Sequence, residues 1–295
     1  MKMLLGAAFA LALTACGNGS STTGDTPAST TSDSDSSIVG NFDVGQGKKL
    51  HLECRGSDGP TIVIDVGNDD TVSGGSWEGV YQSMQSIGRV CSYDRANLGS
   101  SGPDPGPRTI KDVADDLVTL LHVAKVPGPY VFVGGPFGGN IVGVLAANHP
   151  DEVAGIVFVD ASPANDDPKL DPARQNLPEK TYKECCADEL NPPPFDAEEN
   201  TEHIDWKGGR AAAVASVHQL PKVPTIVLTA ANPDCQPDWP CEAMAKDIVR
   251  LQAEWIKGNP HGSQQVVDSG HNLQEEAPQA IVDATKAVVK AAREK

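Results

Sequence analysis

Apolar and polar positions along this chain alternate in two distinct rhythms, and the change from one to the other predicts its architecture. Short runs at residues 39–44, 48–53, 61–66 and 89–94 are strand-like. The first two are separated by Gly45-Gln46-Gly47, which predicts an antiparallel hairpin at a sheet edge. Residues 110–126 then place Ile110, Val113, Leu117, Leu120, Leu121 and Ala124 at helical spacing, and Pro127-Gly128-Pro129 stops the helix. From there strand and helix alternate. Residues 130–134, 155–160, 225–229 and 265–268 read as strands, and about 137–148 as a helix. Met244, Ile248, Leu251 and Trp255 share one helical face, as do Ile281, Ala284, Val288 and Ala291. Such alternation predicts an α/β fold with a mostly parallel sheet covered by helices on both sides.

The alternation lapses between about 163 and 222. This stretch is acidic and proline-rich, centred on Asn191-Pro192-Pro193-Pro194-Phe195. A structureless loop of that length is unusual, so a small cap insertion is expected, with residues 211–218 as a candidate helix. At the other end, residues 1–15 carry Lys2 and an apolar run that closes on Leu13-Thr14-Ala15-Cys16. They resemble a bacterial lipoprotein signal peptide with Cys16 as the lipidated residue. Residues 16–37 are rich in Ser, Thr, Gly and Asp and read as a flexible tether, leaving 38–295 as the domain. The expected location is the outer face of a bacterial cell membrane, held by the lipid.

Charge narrows the partners. A formal net charge of −17 argues against nucleic acid, which needs clustered Lys and Arg. Six cysteines remain after Cys16, and an exported domain in an oxidising compartment is expected to form disulfides. Cys185, Cys186, Cys235 and Cys241 can pair three ways. A bond between adjacent cysteines would be strained, so cross-pairings between the insertion and the loop after Ala230 are favoured. Paired C-x-x-C spacing is absent, so no metal is expected, and no cofactor is implied.

The candidate chemistry centres on Val131-Phe132-Val133-Gly134-Gly135-Pro136-Phe137-Gly138-Gly139-Asn140, a strand running into a glycine turn and a helix. It resembles the nucleophile elbow G-x-S-x-G of the α/β-hydrolases, with Pro136 at the serine position. Leu52-Glu53-Cys54-Arg55-Gly56, Tyr93-Asp94-Arg95-Ala96-Asn97-Leu98-Gly99 and Pro150-Asp151-Glu152-Val153-Ala154-Gly155 are similar to further signatures of that family, in order. The resemblance implies an α/β-hydrolase fold and a disulfide between Cys54 and Cys91, because the family's strand order makes their strands neighbours. It also implies a catalytic base at His271, within Asp268-Ser269-Gly270-His271-Asn272, and an acid at Asp234, with Asp160 the alternative. Oxyanion donors would be the backbone N–H of Phe137 and one from Gly67 or Asn68, although the neighbouring Asp65, Asp69 and Asp70 are unwelcoming to an anion.

Pro136 removes the hydroxyl and also fixes φ near −65°, so the strained elbow is expected to be remodelled. Ser100, Ser101, Ser162 and Ser269 lie near strand ends but off the elbow pattern. The expectation is a non-catalytic member of the family binding an apolar or ester-like small molecule or a partner protein. The alternative is an esterase- or lipase-like hydrolase that uses His271 with a displaced nucleophile or an activated water. The remaining histidines, including His51, His122 and His149, read as structural or exposed.

Overall fold

The computed structural model describes residues 37–57, 59–163, 177–185, 191–232, 235 and 239–294, apart from the side chains of 184 and 185. The leader, Cys16 and nearly all of the tether lie outside these residues. So do Asp234 and Cys186.

Eight strands form one sheet. The chain opens with β1 (Ile38–Asp43) and β2 (Lys49–Arg55), an antiparallel hairpin turned by Gly45, Gln46 and Gly47, all at positive φ. β3 (Thr61–Asp65) and β4 (Val90–Asp94) follow, both fully buried and separated by α1 (Glu78–Met84). Next come α2 (Ile110–Val123), β5 (Tyr130–Gly134), α3 (Pro136–Asn148) and β6 (Val153–Val159). The segment between β6 and β7 contributes α4 (Glu179–Cys185) and α5 (Trp206–Ser216). The chain closes with β7 (Thr225–Ala230), α6 (Cys241–Gln252), β8 (Gly262–Val267), α7 (Leu273–Glu276) and α8 (Pro278–Arg293).

In space the order is β1-β2-β4-β3-β5-β6-β7-β8, with only the β1–β2 and β2–β4 pairs antiparallel. Burying β3, β5 and β6 on both faces explains their continuous Val and Ile runs. Helices α2 and α3 cover one face, where Leu117, Leu121, Phe132, Ile141 and Phe158 form a core. On the other, α1 and α8 pack over Ile62, Val131, Val157 and Val288. The start of α2 is secured by a capping box in which Thr109 and Asp112 satisfy each other's backbone N–H.

Several elements depart from the sequence reading. α1 was not expected; its short apolar face, Val80, Tyr81 and Met84, lies between glycines and serines. The last strand is six residues long rather than four, because Gln264 and Gln265 occupy an edge where one face is wet. The cap helix begins at Trp206, five residues earlier than expected. Asp205 caps it by accepting the Gly208 N–H, and Gly209 lets it seat against Ile110.

Cys54 and Cys91 stand opposite each other in the β2–β4 register and are joined by a disulfide, as the resemblance implies. The expected cross-pairings are overturned, because Cys235 bonds Cys241. The two lie six residues apart, and Cys241 at the start of α6 returns to within 5.8 Å of Cys235 between α-carbons. A short local closure costs less chain entropy than a link across the insertion.

Candidate active site

The elbow is built by close packing. A Cβ on Gly134 would meet Gly139, one on Gly138 would meet the Asp65 carbonyl, and one on Gly139 would meet Ala161. These contacts pin α3 against the ends of β3 and β6. Gly135 donates to Asp65 O at 2.8 Å and Gly138 to Val66 O at 3.0 Å. Pro136 is the first residue of α3, where its missing N–H costs nothing, and Gly135 precedes it in an extended conformation (φ −72°, ψ −167°). No residue from Gly134 to Gly139 has positive φ. The strained elbow geometry is gone, as the proline ring requires.

His271 follows β8, and its Nδ1 lies 2.6 Å from Asp160 Oδ2. A carboxylate oxygen accepts, so Nδ1 carries a proton, which in the neutral imidazole leaves the lone pair on Nε2. Asp160 follows β6 in a left-handed conformation (φ 42°) and is buried. Its other oxygen accepts from Ala230 N at 3.0 Å and from Gln252 Nε2 at 2.9 Å. Gln252 is itself held by the Thr229 hydroxyl at 2.6 Å. Among the described residues the carboxylate that meets His271 is therefore the one after β6, the alternative position that the sequence offered. Asp234 lies outside the described residues.

Pro136, Phe137, Gly67, Asn68 and His271 all border one cavity of about 990 Å³ beneath the cap segment. The elbow and the loop after β3 come close, with Pro136 Cδ 4.0 Å from where a Gly67 Cβ would stand. Trp206 of α5 packs over Phe137 with ring centroids 4.9 Å apart. Asn140, one turn beyond Pro136, lines the wall with a buried carboxamide oxygen that meets no donor among the described residues. Of the four serines considered as substitutes, Ser162 borders the cavity, and its N–H donates to Pro136 O at 3.0 Å. The Ser101 hydroxyl is turned to Asp94 O and that of Ser269 to Gly270 O.

Sequence reasoning missed the buried charge network beneath this site. The Arg95 guanidinium bonds Glu202 through Nε at 2.6 Å and Nη2 at 2.8 Å, and Asp65 through Nη1 at 2.7 Å. It also donates to the carbonyls of Val66 and Gly67 and lies over the Phe137 ring. Tyr93 donates to the second Asp65 oxygen at 2.8 Å. Burial pushes Asp65 up to about 6 against the opposing pull of Arg95. For Glu202 burial again disfavours the charge, but the Arg95 guanidinium outweighs it and holds the carboxyl below its ordinary range. Asp65 is thus tied into a buried ion cluster in which one guanidinium serves two carboxylates. The only signal was Arg95 within Tyr93-Asp94-Arg95, a motif with no period to betray its partners.

Among the described residues no group of three or more His, Cys, Asp or Glu side chains could hold a metal ion. Of the other histidines, His122 contacts Glu152 at 2.9 Å and His149 contacts Asp115 at 2.8 Å, at the surface and away from the cavity.

This arrangement is that of an α/β-hydrolase: a strand-turn-helix elbow at the sheet's centre, and a histidine paired with a carboxylate at the carboxyl ends of the strands. Residues 67–192 match the sequence model of the alpha/beta hydrolase fold family. The structure superposes on the 2-hydroxy-6-oxo-6-phenylhexa-2,4-dienoate hydrolase BphD of Rhodococcus sp. strain RHA1 with a TM-score of 0.62 at 17% identity, covering 87% of this chain and 100% of that one. It superposes on a thermophilic esterase of Thermogutta terrifontis with a TM-score of 0.55 at 20% identity, covering 87% and 98%. The chain has the α/β-hydrolase fold. In sequence it is similar to the uncharacterized protein YqjL of Bacillus subtilis, 31% identical over 115 residues that make up 39% of this chain and 45% of YqjL. The match spans less than half the length of that curated relative.

Proposed function

We propose that this protein is a non-catalytic α/β-hydrolase that binds an apolar or ester-like small molecule in the cavity beneath its cap segment. The observation that carries this reading is Pro136, which stands at the nucleophile position as the first residue of a helix and has neither hydroxyl nor elbow strain. The cavity remains large and aromatic-walled, and the unmatched Asn140 oxygen offers a ligand a polar contact. Such a combination suits recognition without bond cleavage.

A second reading is favoured by one feature, the intact pairing of His271 with Asp160. An esterase- or lipase-like hydrolase could use that base with a displaced nucleophile, for which Ser162 on the cavity wall is the candidate, or with an activated water. Purified protein treated with a fluorophosphonate probe, and assayed with an activated ester, separates the two. The expected outcome is no labelling and no hydrolysis above background. Labelling that maps to Ser162 would overturn the binding reading.

The leader and the Ser- and Thr-rich segment after it support a cell-envelope lipoprotein tethered through Cys16. Mass spectrometry of the mature protein is expected to find a diacylglyceryl-modified Cys16 as its first residue. A mature chain starting elsewhere would exclude the lipid anchor.

A further inference from the structure

We propose that the cavity is a seat for an anionic amphiphile, an alkyl carboxylate whose head group is held by Arg210 and whose chain lies along Phe137, Trp206 and Ile110. The inference rests on the small-molecule binding reading above and names the chemistry of the ligand. Its starting point is a charge anomaly. The chain has 40 acidic residues against 23 basic ones, and other cations drawn out of water meet acids, as Lys48 does with Asp104 and Asp116 and Arg95 with Asp65 and Glu202. Arg210 lies on α5, half-buried in the cavity wall, and makes no ion pair or side-chain hydrogen bond among the described residues. A guanidinium carries five donors in a fork that matches a carboxylate, and one that is partly removed from water without a partner forfeits those bonds. Excess acid elsewhere makes this omission more telling.

The other charges on the wall do not fill the role. Asp70 is half-buried, but its oxygens already accept the Thr71 N–H and the Ser76 hydroxyl, each at 2.8 Å. Glu199 and Glu275 are exposed, as is Lys207, which lies in the same helical turn as Arg210 and adds a second cation. Apolar lining comes from both sides of the cavity: Ile110 at the start of α2 and Phe137 at the start of α3 from the main domain, Trp206 and Ala213 from α5. One cation set in an aromatic wall selects a ligand with one charged end and an apolar body.

Titration of the purified full-length protein with decanoate and with decanol tests this, read by calorimetry and by the fluorescence of the cavity tryptophans. Decanoate is expected to bind about tenfold tighter or more. Arg210→Met should erase that preference while leaving decanol binding as it was, and Arg210→Lys should keep part of it. His271→Ala should leave the preference intact. Equal binding of the two probes, or a preference that survives Arg210→Met or vanishes with His271→Ala, would overturn the anion seat while leaving the cavity a binding site. Failure of both probes to bind at millimolar concentration would overturn the broader reading along with this one.

Discussion

Pro136→Ser is expected to give measurable esterase activity, with hydrolysis of p-nitrophenyl butyrate rising about 10² to 10³-fold over wild type. Nucleophile and base acting together are worth on the order of 10⁶ in kcat in serine hydrolases. Only part of that should return, because the substitution restores the hydroxyl and frees φ without obliging the backbone to regain the strained elbow. What makes the gain possible is already in place: a base oriented by a buried acid, with Nε2 as the basic nitrogen, and Gly67, Asn68 and Phe137 around the same cavity. Pro136→Ala, which relaxes the ring without adding a hydroxyl, should gain nothing. In the serine background, His271→Ala should return the rate to wild type and Asp160→Asn should lower it steeply, since the amide favours the wrong tautomer. Asp234→Asn should leave the rate unchanged. A folded serine variant no faster than Pro136→Ala would show that the dyad no longer points at the elbow.

Asp160 illustrates what the sequence could carry and what it could not. The sheet was legible because buried strands are written as unbroken apolar runs, and α2 and α8 because their apolar positions keep a helical period. The elbow was legible because close packing demands glycine at fixed offsets, which survive the loss of the serine. Which acid meets His271 is a different kind of fact. Asp160 is 111 residues away in sequence, and its selection depends on how β6, β7 and β8 lie side by side and on Gln252 and Ala230 holding the second oxygen. No local pattern encodes that. The same holds for Arg95 and Glu202, 107 residues apart. For Cys235 and Cys241 the missing information was local, namely where α6 begins and how sharply the chain turns into it.

Arg95→Met should cost about 3–5 kcal/mol in urea unfolding, a large share of the stability of an ordinary domain. The side chain is 1% exposed, and removing its charge strands two fully buried carboxylates, Asp65 and Glu202, whose desolvation nothing else offsets. The pH dependence gives the cause. Asp65 titrates higher folded than unfolded, about 6 against 3.8, so its protonation favours the folded state below about 3.8 and that contribution is lost as pH rises through about 6. Glu202 runs the other way in the wild type: held below its ordinary range, it stabilises above the unfolded value and loses that contribution as pH falls. Without the guanidinium both carboxyls become buried acids with raised pKa, so the penalty of the variant should be greater at about pH 8 than at about pH 5, where protonation relieves it. A penalty independent of pH would mean that lost packing against Phe137, rather than stranded charge, is responsible. Because Arg95 also holds the carbonyls of Val66 and Gly67 and ties them to Glu202 of the cap segment, the same substitution should loosen the cavity wall. In the Pro136→Ser background it should therefore reduce ester turnover even at a pH where the fold is intact, as measured by kcat at a urea-free stability plateau.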